Sequence, residues 1–335
     1  MTSPPAPESN SRGLLWIGIL VLALVVLSLF MGRYPGPLFT SLSDLSNDEL
    51  ARNLVFNLRL PRILAALMLG MALSASGSVF QMIFRNPLVD SGFLGVSQGA
   101  AFGASLAIVF MGAAAWAVQG CAALFAFLGL AASYALARRF PLANWVLRLI
   151  LAGIAVSALY SAGTGALKYM ADPMRQLPDI TFWLLGGLWG ITWKDVLQLL
   201  PVVIPCLALI TLMRWRLNLL SLREETAFSL GVAPARERLL LLAAAAAATA
   251  AVVSKSGSIA WVGLIVPHIA RRLVGSDARR SVPAAMMLGS VFVLLCDNIA
   301  RMLLAGEIPL GILTSFFGTS LFLILLLKRG VKVKT

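Results

Sequence analysis

Charge is scarce in this 335-residue chain: Lys, Arg, Asp and Glu make up 12% of it, against 59% hydrophobic residues. At a mean hydropathy of +0.90 there is too little polar side chain to clothe a water-soluble domain, so the chain reads as an integral membrane protein. Histidine occurs once, as His268, and the three cysteines, Cys121, Cys206 and Cys296, each stand alone in an apolar run. That excludes a disulfide framework and a His/Cys metal cluster. His268 reads as a helix-end or hydrogen-bonding residue rather than a metal ligand. A nucleophile beside a base, which an intramembrane enzyme needs, is not evident either. No Lys follows a Gly, so the phosphate-cradling loop of an ATPase is missing. The net charge of +13 is spread over short loops with no aromatic-interleaved basic face, which argues against nucleic acid as a partner.

What the chain has is apolar runs, near 14–31, 63–84, 92–111, 114–137, 147–167, 195–213, 238–253, 259–270, 282–299 and 308–327. They predict an all-α fold of about ten membrane-spanning helices, one of them short. Residues 1–13 form a polar tail, 14–328 a single transmembrane domain and 329–335 a basic tail. The first run is longer than the core of a cleavable signal peptide and reads as a span. Residues 172–192, punctuated by Pro173, Pro178, Gly186 and Gly187, predict a helix lying at or dipping into the outer surface. Residues 214–238 are the longest charged loop. With both termini inside, 18 of the 27 basic residues and six of the 14 acids fall on the inner side. The positive-inside rule therefore puts both ends in the cytoplasm.

The sharpest local feature is the stretch from Ser256 to Arg271, where a Gly/Ser break precedes a half-length apolar segment. Residues 259–269 rise only about 16 Å as a helix, roughly half the hydrocarbon core. Backbone interrupted at that depth must find its partners within protein or in a water-filled cavity, which is how a path across lipid is built. Gly92, Gly95, Gly99 and Gly103 predict a bare face on the third span for close helix packing. Asn86-Pro87 marks a loop. Lys255 ends an apolar run and is a candidate by its depth alone. Its ammonium either faces the path and attracts an anionic cargo or snorkels to the outer interface.

Four blocks, Leu58-Arg-Leu-Pro-Arg62, Arg85 to Ala100, Gly257 to Arg272, and Asp297 to Arg301 with Glu307-Ile-Pro-Leu-Gly311, resemble the FecCD type of permease. These are membrane subunits of ABC importers for iron-siderophore complexes, haem and cobalamin. Ser91, Ser258 and Ala260 stand where that family often has Pro, Pro and Gly. The resemblance implies type II importer architecture, a homodimer in the prokaryotic inner membrane, two copies of a cytoplasmic ATPase and an extracytoplasmic binding protein. ATP and Mg would sit on the ATPase, and this chain would bind no cofactor itself.

By the same resemblance Leu222, Glu224, Glu225, Phe228, Leu230 and Gly231 couple to the ATPase. Arg59, Arg62 and Arg301 meet carboxylates of the binding protein; the planar guanidinium fork suits that role. On the residues alone, all three also read as interfacial snorkellers, and Arg301 as the i,i+4 partner of Asp297. The inner gate maps to Asn144, Trp145 and Val146, though a Trp there also reads as an interfacial anchor. The family ordinarily carries small or apolar residues at the place of Lys255, so no role transfers to it. The cargo is expected to be an iron chelate or a related metal-bearing cofactor, with haem, cobalamin or an oxyanion open. The rival reading is a transporter driven by an ion gradient, which would need carboxylates inside the membrane.

Overall fold

Helix α4, Leu60–Ile83, is the element on which the others pack. Its sequence alternates large apolar residues with Gly, Ala and Ser, so it is buried along most of its length while neighbours approach its backbone. The computed structural model describes residues 10–34, 39–90, 92–140, 145–222, 224–231, 233–304 and 306–327. Among these there is no strand, only one isolated bridge between Met31 and Phe39.

In chain order the structure runs α1 Asn10–Phe30, α2 Leu42–Asn47, α3 Glu49–Asn53, a π-helical turn Leu54–Arg59, and α4. Then come α5 Val96–Met111, α6 Ala115–Arg139, α7 Trp145–Met170, α8 Gln176–Leu185, α9 Trp193–Leu212, α10 Arg214–Leu220 and α11 Glu224–Ser229. The last four are α12 Pro234–Ser256, α13 Val262–Val274, α14 Ala278–Met302 and α15 Leu310–Leu327. Among the described residues eight helical stretches, one of them running unbroken from Glu49 to Ile83, are long and apolar enough to cross a membrane. With the shorter α5 and α13, all ten expected runs are helices. The helix predicted within 172–192 is α8, and α5 joins α6 through a tight turn, with φ of 74° at Gly112 and 58° at Ala113.

Glycine decides how closely α4 and its neighbours meet. A Cβ on Gly70 would stand 2.3 Å from the carbonyl oxygen of Gly289 in α14, and one on Gly77 would stand 1.9 Å from that of Gly263 in α13. The bare face predicted on the third span is real for Gly99 and Gly103, whose added Cβ atoms would lie 2.3 Å from the carbonyls of Phe125 and Cys121 in α6. Gly92 departs from that expectation: the helix starts only at Val96, and Gly92 lies in the turn before it, against the Ser97 side chain.

Two boundaries differ from the hydropathy reading. The second span begins before its apolar run, because Asp48 caps α3 by accepting from the N–H groups of Leu50 (2.8 Å) and Ala51 (3.3 Å). From there the helix runs on through the π turn into α4, so Arg59 and Arg62 sit inside it rather than at its mouth. The short segment starts three residues late, at Val262. Trp261 before it is left-handed (φ 73°), with its ring against Phe322 at 5.8 Å.

Replacing Gly77 by Leu is expected to lower stability by more than the roughly 1–3 kcal/mol typical of overpacking, because the obstacle is backbone and cannot change rotamer. Thermal unfolding in detergent checks this; an unchanged midpoint would contradict the close approach of α4 and α13.

Candidate permeation and coupling sites

At the end of the bundle opposite Asn10 and Leu327, four arginines, Arg33, Arg59, Arg62 and Arg301, line a cavity of about 400 Å³ together with Glu307 and the loop 188–192. Asp297, buried in α14, accepts from Arg62 Nε at 3.0 and 3.2 Å, and Arg62 also donates to both oxygens of Glu307 at 2.7 and 2.9 Å. The sequence offered Arg301 as the partner of Asp297. Instead Arg301 turns to the Ser28 carbonyl (2.6 Å), the Ser28 hydroxyl (2.9 Å) and the Asn298 amide oxygen (2.5 Å). Arg59 donates to the Leu29 and Tyr34 carbonyls at 3.1 and 3.0 Å and to the Thr40 hydroxyl at 2.8 Å. The guanidinium groups of Arg59 and Arg301 are thus hydrogen-bonded by neutral oxygens, with the buried Nε of Arg301 left without a partner, and both line the cavity wall.

A second cavity, of about 370 Å³, opens where α5, α7 and the break meet. Ser97, Gln98, Ser157, Ser258 and Asp90 face it together with Phe93, Ile154 and Ile259. Hydroxyl and amide groups here stand out from the apolar exterior on either side. The break beside it is held from within: the Gly187 N–H donates to the Ser256 carbonyl at 2.7 Å, and the Gly257 N–H to that of Val253 at 2.9 Å. Sequence reasoning missed this polar face because its residues are distant in the chain and each is unremarkable alone.

Lys255 is fully engaged. Its ammonium donates to Asp195 at 2.7 Å, to Gln198 at 2.6 Å and to Gln119, and its side chain is 7% exposed. The charge is paired within the chain, beside a cavity that Lys255 lines with Gln119 and Asp179.

At the termini end, Trp145 opens α7 between the Phe84 ring, stacked at 6.5 Å, and the Arg238 guanidinium, 5.3 Å from its centroid. Val146 packs beside it on the core. Asn144 lies outside the described residues. The charged loop 214–238 carries two short helices, α10 and α11. Phe228 is 73%, Leu230 55% and Leu222 40% exposed. Gly231 closes α11 with φ of 78°. Glu224 and Glu225 lie in α11, but their side chains fall outside the described structure.

Contacts that the sequence did not reveal hold this loop to the bundle. Asn218 donates to Asp277 at 2.7 Å and accepts from the Ala278 N–H at 2.9 Å, tying α10 to the start of α14. Arg216 pairs with Glu237, and Arg85 donates to the Leu222 carbonyl. His268 lines a small apolar cleft with Pro87 and Phe322, and no metal-binding group of His, Cys, Asp or Glu occurs among the described residues.

Residues 20–328 match the FecCD transport family. The chain belongs to that family. It is 39% identical over 333 residues to the molybdate import system permease MolB of Haemophilus influenzae, covering 97% of this chain and 98% of the relative. It is 40% identical over 292 residues to an iron chelatin transport system permease of Helicobacter pylori, covering 86% and 87%. Among solved structures, an inward-facing ABC transporter of the metal-chelate type superposes with a TM-score of 0.88 at 39% identity, over 95% of this chain and 99% of that one. This FecCD chain is therefore a multi-pass permease subunit of a prokaryotic ABC importer, of type II architecture, and membership implies an ATPase partner and a dimeric permease arrangement.

Replacing Arg62 by Met would leave Asp297 charged and buried, a loss of about 3–5 kcal/mol for a broken buried pair. Converting Asp297 to Asn in the same protein is expected to recover most of it. Thermal midpoints of the two variants decide, and equal midpoints would contradict the pairing.

Burial pushes the Asp277 carboxyl up, but the Arg279 N–H, the Asn218 amide and the charges of Arg279 and Arg280 outweigh it and hold the group below its usual range. A depressed carboxylate adds stability that is present above its ordinary pKa and lost as pH falls through the lower folded value. Asp277→Asn should flatten the acid limb of the stability curve measured by thermal unfolding; an unaltered limb would remove this role.

Proposed function

We propose that this chain carries an iron chelate, or a related metal-bearing solute, inward across the prokaryotic inner membrane. The cargo moves along the hydroxyl- and amide-lined face of α5, α7 and the break. The observation that carries this reading is the polar cavity at Ser97, Gln98, Ser157 and Ser258. Its volume of about 370 Å³ per chain lies in the roughly 300–1,000 Å³ range of sites for drug-sized ligands, more than a bare oxyanion needs. Hydroxyl and amide groups, with Asp90 as the one acid on the wall among the described residues, suit a cargo that must leave as readily as it enters.

In this reading both termini are cytoplasmic, as the basic loops favour, and two copies of the chain face each other across the path. The exposed edge at Leu222, Phe228 and Leu230, with Glu224 and Glu225 and the stop at Gly231, seats the ATPase, while Trp145, Val146 and Asn144 narrow the inner mouth. The outer cavity receives carboxylates of a binding protein. The uncompensated charge of Arg59 and Arg301 attracts them, and Arg62 takes part by exchanging Glu307 for an incoming acid. The ion-gradient alternative loses its main requirement, since Asp195 and Asp297 are each paired with a basic side chain.

A second reading, with molybdate or a similar oxyanion as cargo, draws on the 39% identity to MolB over almost the whole chain. Proteoliposomes holding the permease, its ATPase and its binding protein distinguish the two. ATP-dependent accumulation of a radioiron siderophore is expected; accumulation of radiomolybdate with no chelate uptake would establish the second reading in its place. Replacing Glu224, Glu225 and Phe228 together is expected to abolish coupled ATP hydrolysis and uptake while the protein stays folded. Unchanged coupling would remove the ATPase seat from this loop.

A further inference from the structure

The environment of Lys255 is that of a cation seat. Three side-chain oxygens converge on its ammonium: Gln119 from α6, and Asp195 and Gln198, one turn apart on α9. An ammonium has three N–H donors, and each meets one of these oxygens. The second carboxylate oxygen of Asp195 is separately committed, accepting from the Thr192 N–H at 3.0 Å and hydroxyl at 2.7 Å, so the seat is rigidly oriented by the cap of α9. Beside it lies a cavity of about 370 Å³, faced by Gln119, Lys255 and Asp179.

We propose that these oxygens form a site for one monovalent cation, which the chain fills with its own tethered ammonium, and that Lys255 is a positioning residue. The site has one formal negative charge and two amide oxygens. That matches a single positive charge, whereas Ca²⁺ takes six to eight oxygens and Mg²⁺ a strict octahedron. Filled by Lys255, the seat joins the ends of three spans, α6, α9 and α12, one residue before the break that borders the polar cavity. The seat therefore fixes where the break begins, and does so without depending on the ionic composition outside. Cut back, the side chain would vacate it, and Na⁺ or K⁺ would enter from the adjoining cavity with water completing its shell.

The test compares wild type, Lys255→Ala and the double variant Lys255→Ala/Asp195→Asn, purified in detergent, in NaCl, KCl and N-methylglucamine chloride at equal ionic strength. The wild-type midpoint is expected to be the same in all three salts. That of Lys255→Ala should drop in N-methylglucamine chloride and rise, saturably, with Na⁺ or K⁺, as mass action requires of a ligand bound only by the folded state. The double variant, lacking the carboxylate, should lose that response. Equilibrium binding of ²²Na⁺ gives a second readout, expected for Lys255→Ala and absent for wild type, and Lys255→Ser serves if the alanine variant does not fold. A shortened variant indifferent to the salt, or a double variant that responds as the single one does, would overturn the proposal.

Discussion

The structure depends on one constraint: a backbone interrupted inside lipid has to find its hydrogen-bond partners within the protein. The interruption lies between α12 and α13, and α8 with the loop after it supplies the partners. For that loop to reach the break, side chains must be missing where the backbones meet. Cβ atoms added to Gly186 and Gly257 would stand 2.5 Å from the Ser258 carbonyl and 2.2 Å from that of Trp183, and one on Gly311 would stand 2.3 Å from that of Leu185. Three glycines from three parts of the chain thus make one junction. Because the break is held this way, the serines beside it stay fixed on the wall of a polar cavity.

Charge follows the same economy. Acids on α9 and α14 are paired with bases from other helices, Asp195 with Lys255 and Asp297 with Arg62, which Glu307 also shares. A buried ion pair of this kind does little for net stability compared with apolar packing, but separating it is costly, so each pair fixes how its helices register. Arg59 and Arg301 follow a different rule. They are bonded to carbonyls, hydroxyls and an amide, so their charge is held in place without being cancelled.

Much of the fold was legible because hydropathy acts over twenty residues at a time: every apolar run became a helix, and α8 lay where proline and glycine had cut the pattern. Helix starts were less legible. The second span begins at the Asp48 cap, ahead of its apolar run, and Trp261 holds back the start of α13 by adopting a left-handed conformation that no local propensity favours. The site was legible in part. Lys255 could be singled out from type and depth and Arg62 from the family resemblance, but their partners lie 60 and 235 residues away, a separation that no spacing rule bridges. Arg301 shows the hazard of local rules, since the i,i+4 reading gave it Asp297 when tertiary packing had already given that carboxylate to Arg62. The polar face of Ser97, Gln98, Ser157 and Ser258 could not be found at all from single residues, because only the packing of α5 and α7 brings it together.

As a permease subunit, this FecCD chain should shape a path and draw its work from the partner ATPase. The direct measurement is cargo accumulation in sealed vesicles containing the permease alone, with sodium, potassium and proton gradients imposed in turn, beside vesicles that also hold the ATPase with ATP. Accumulation only in the second set is predicted. Uphill movement by the permease alone under any gradient would contradict it.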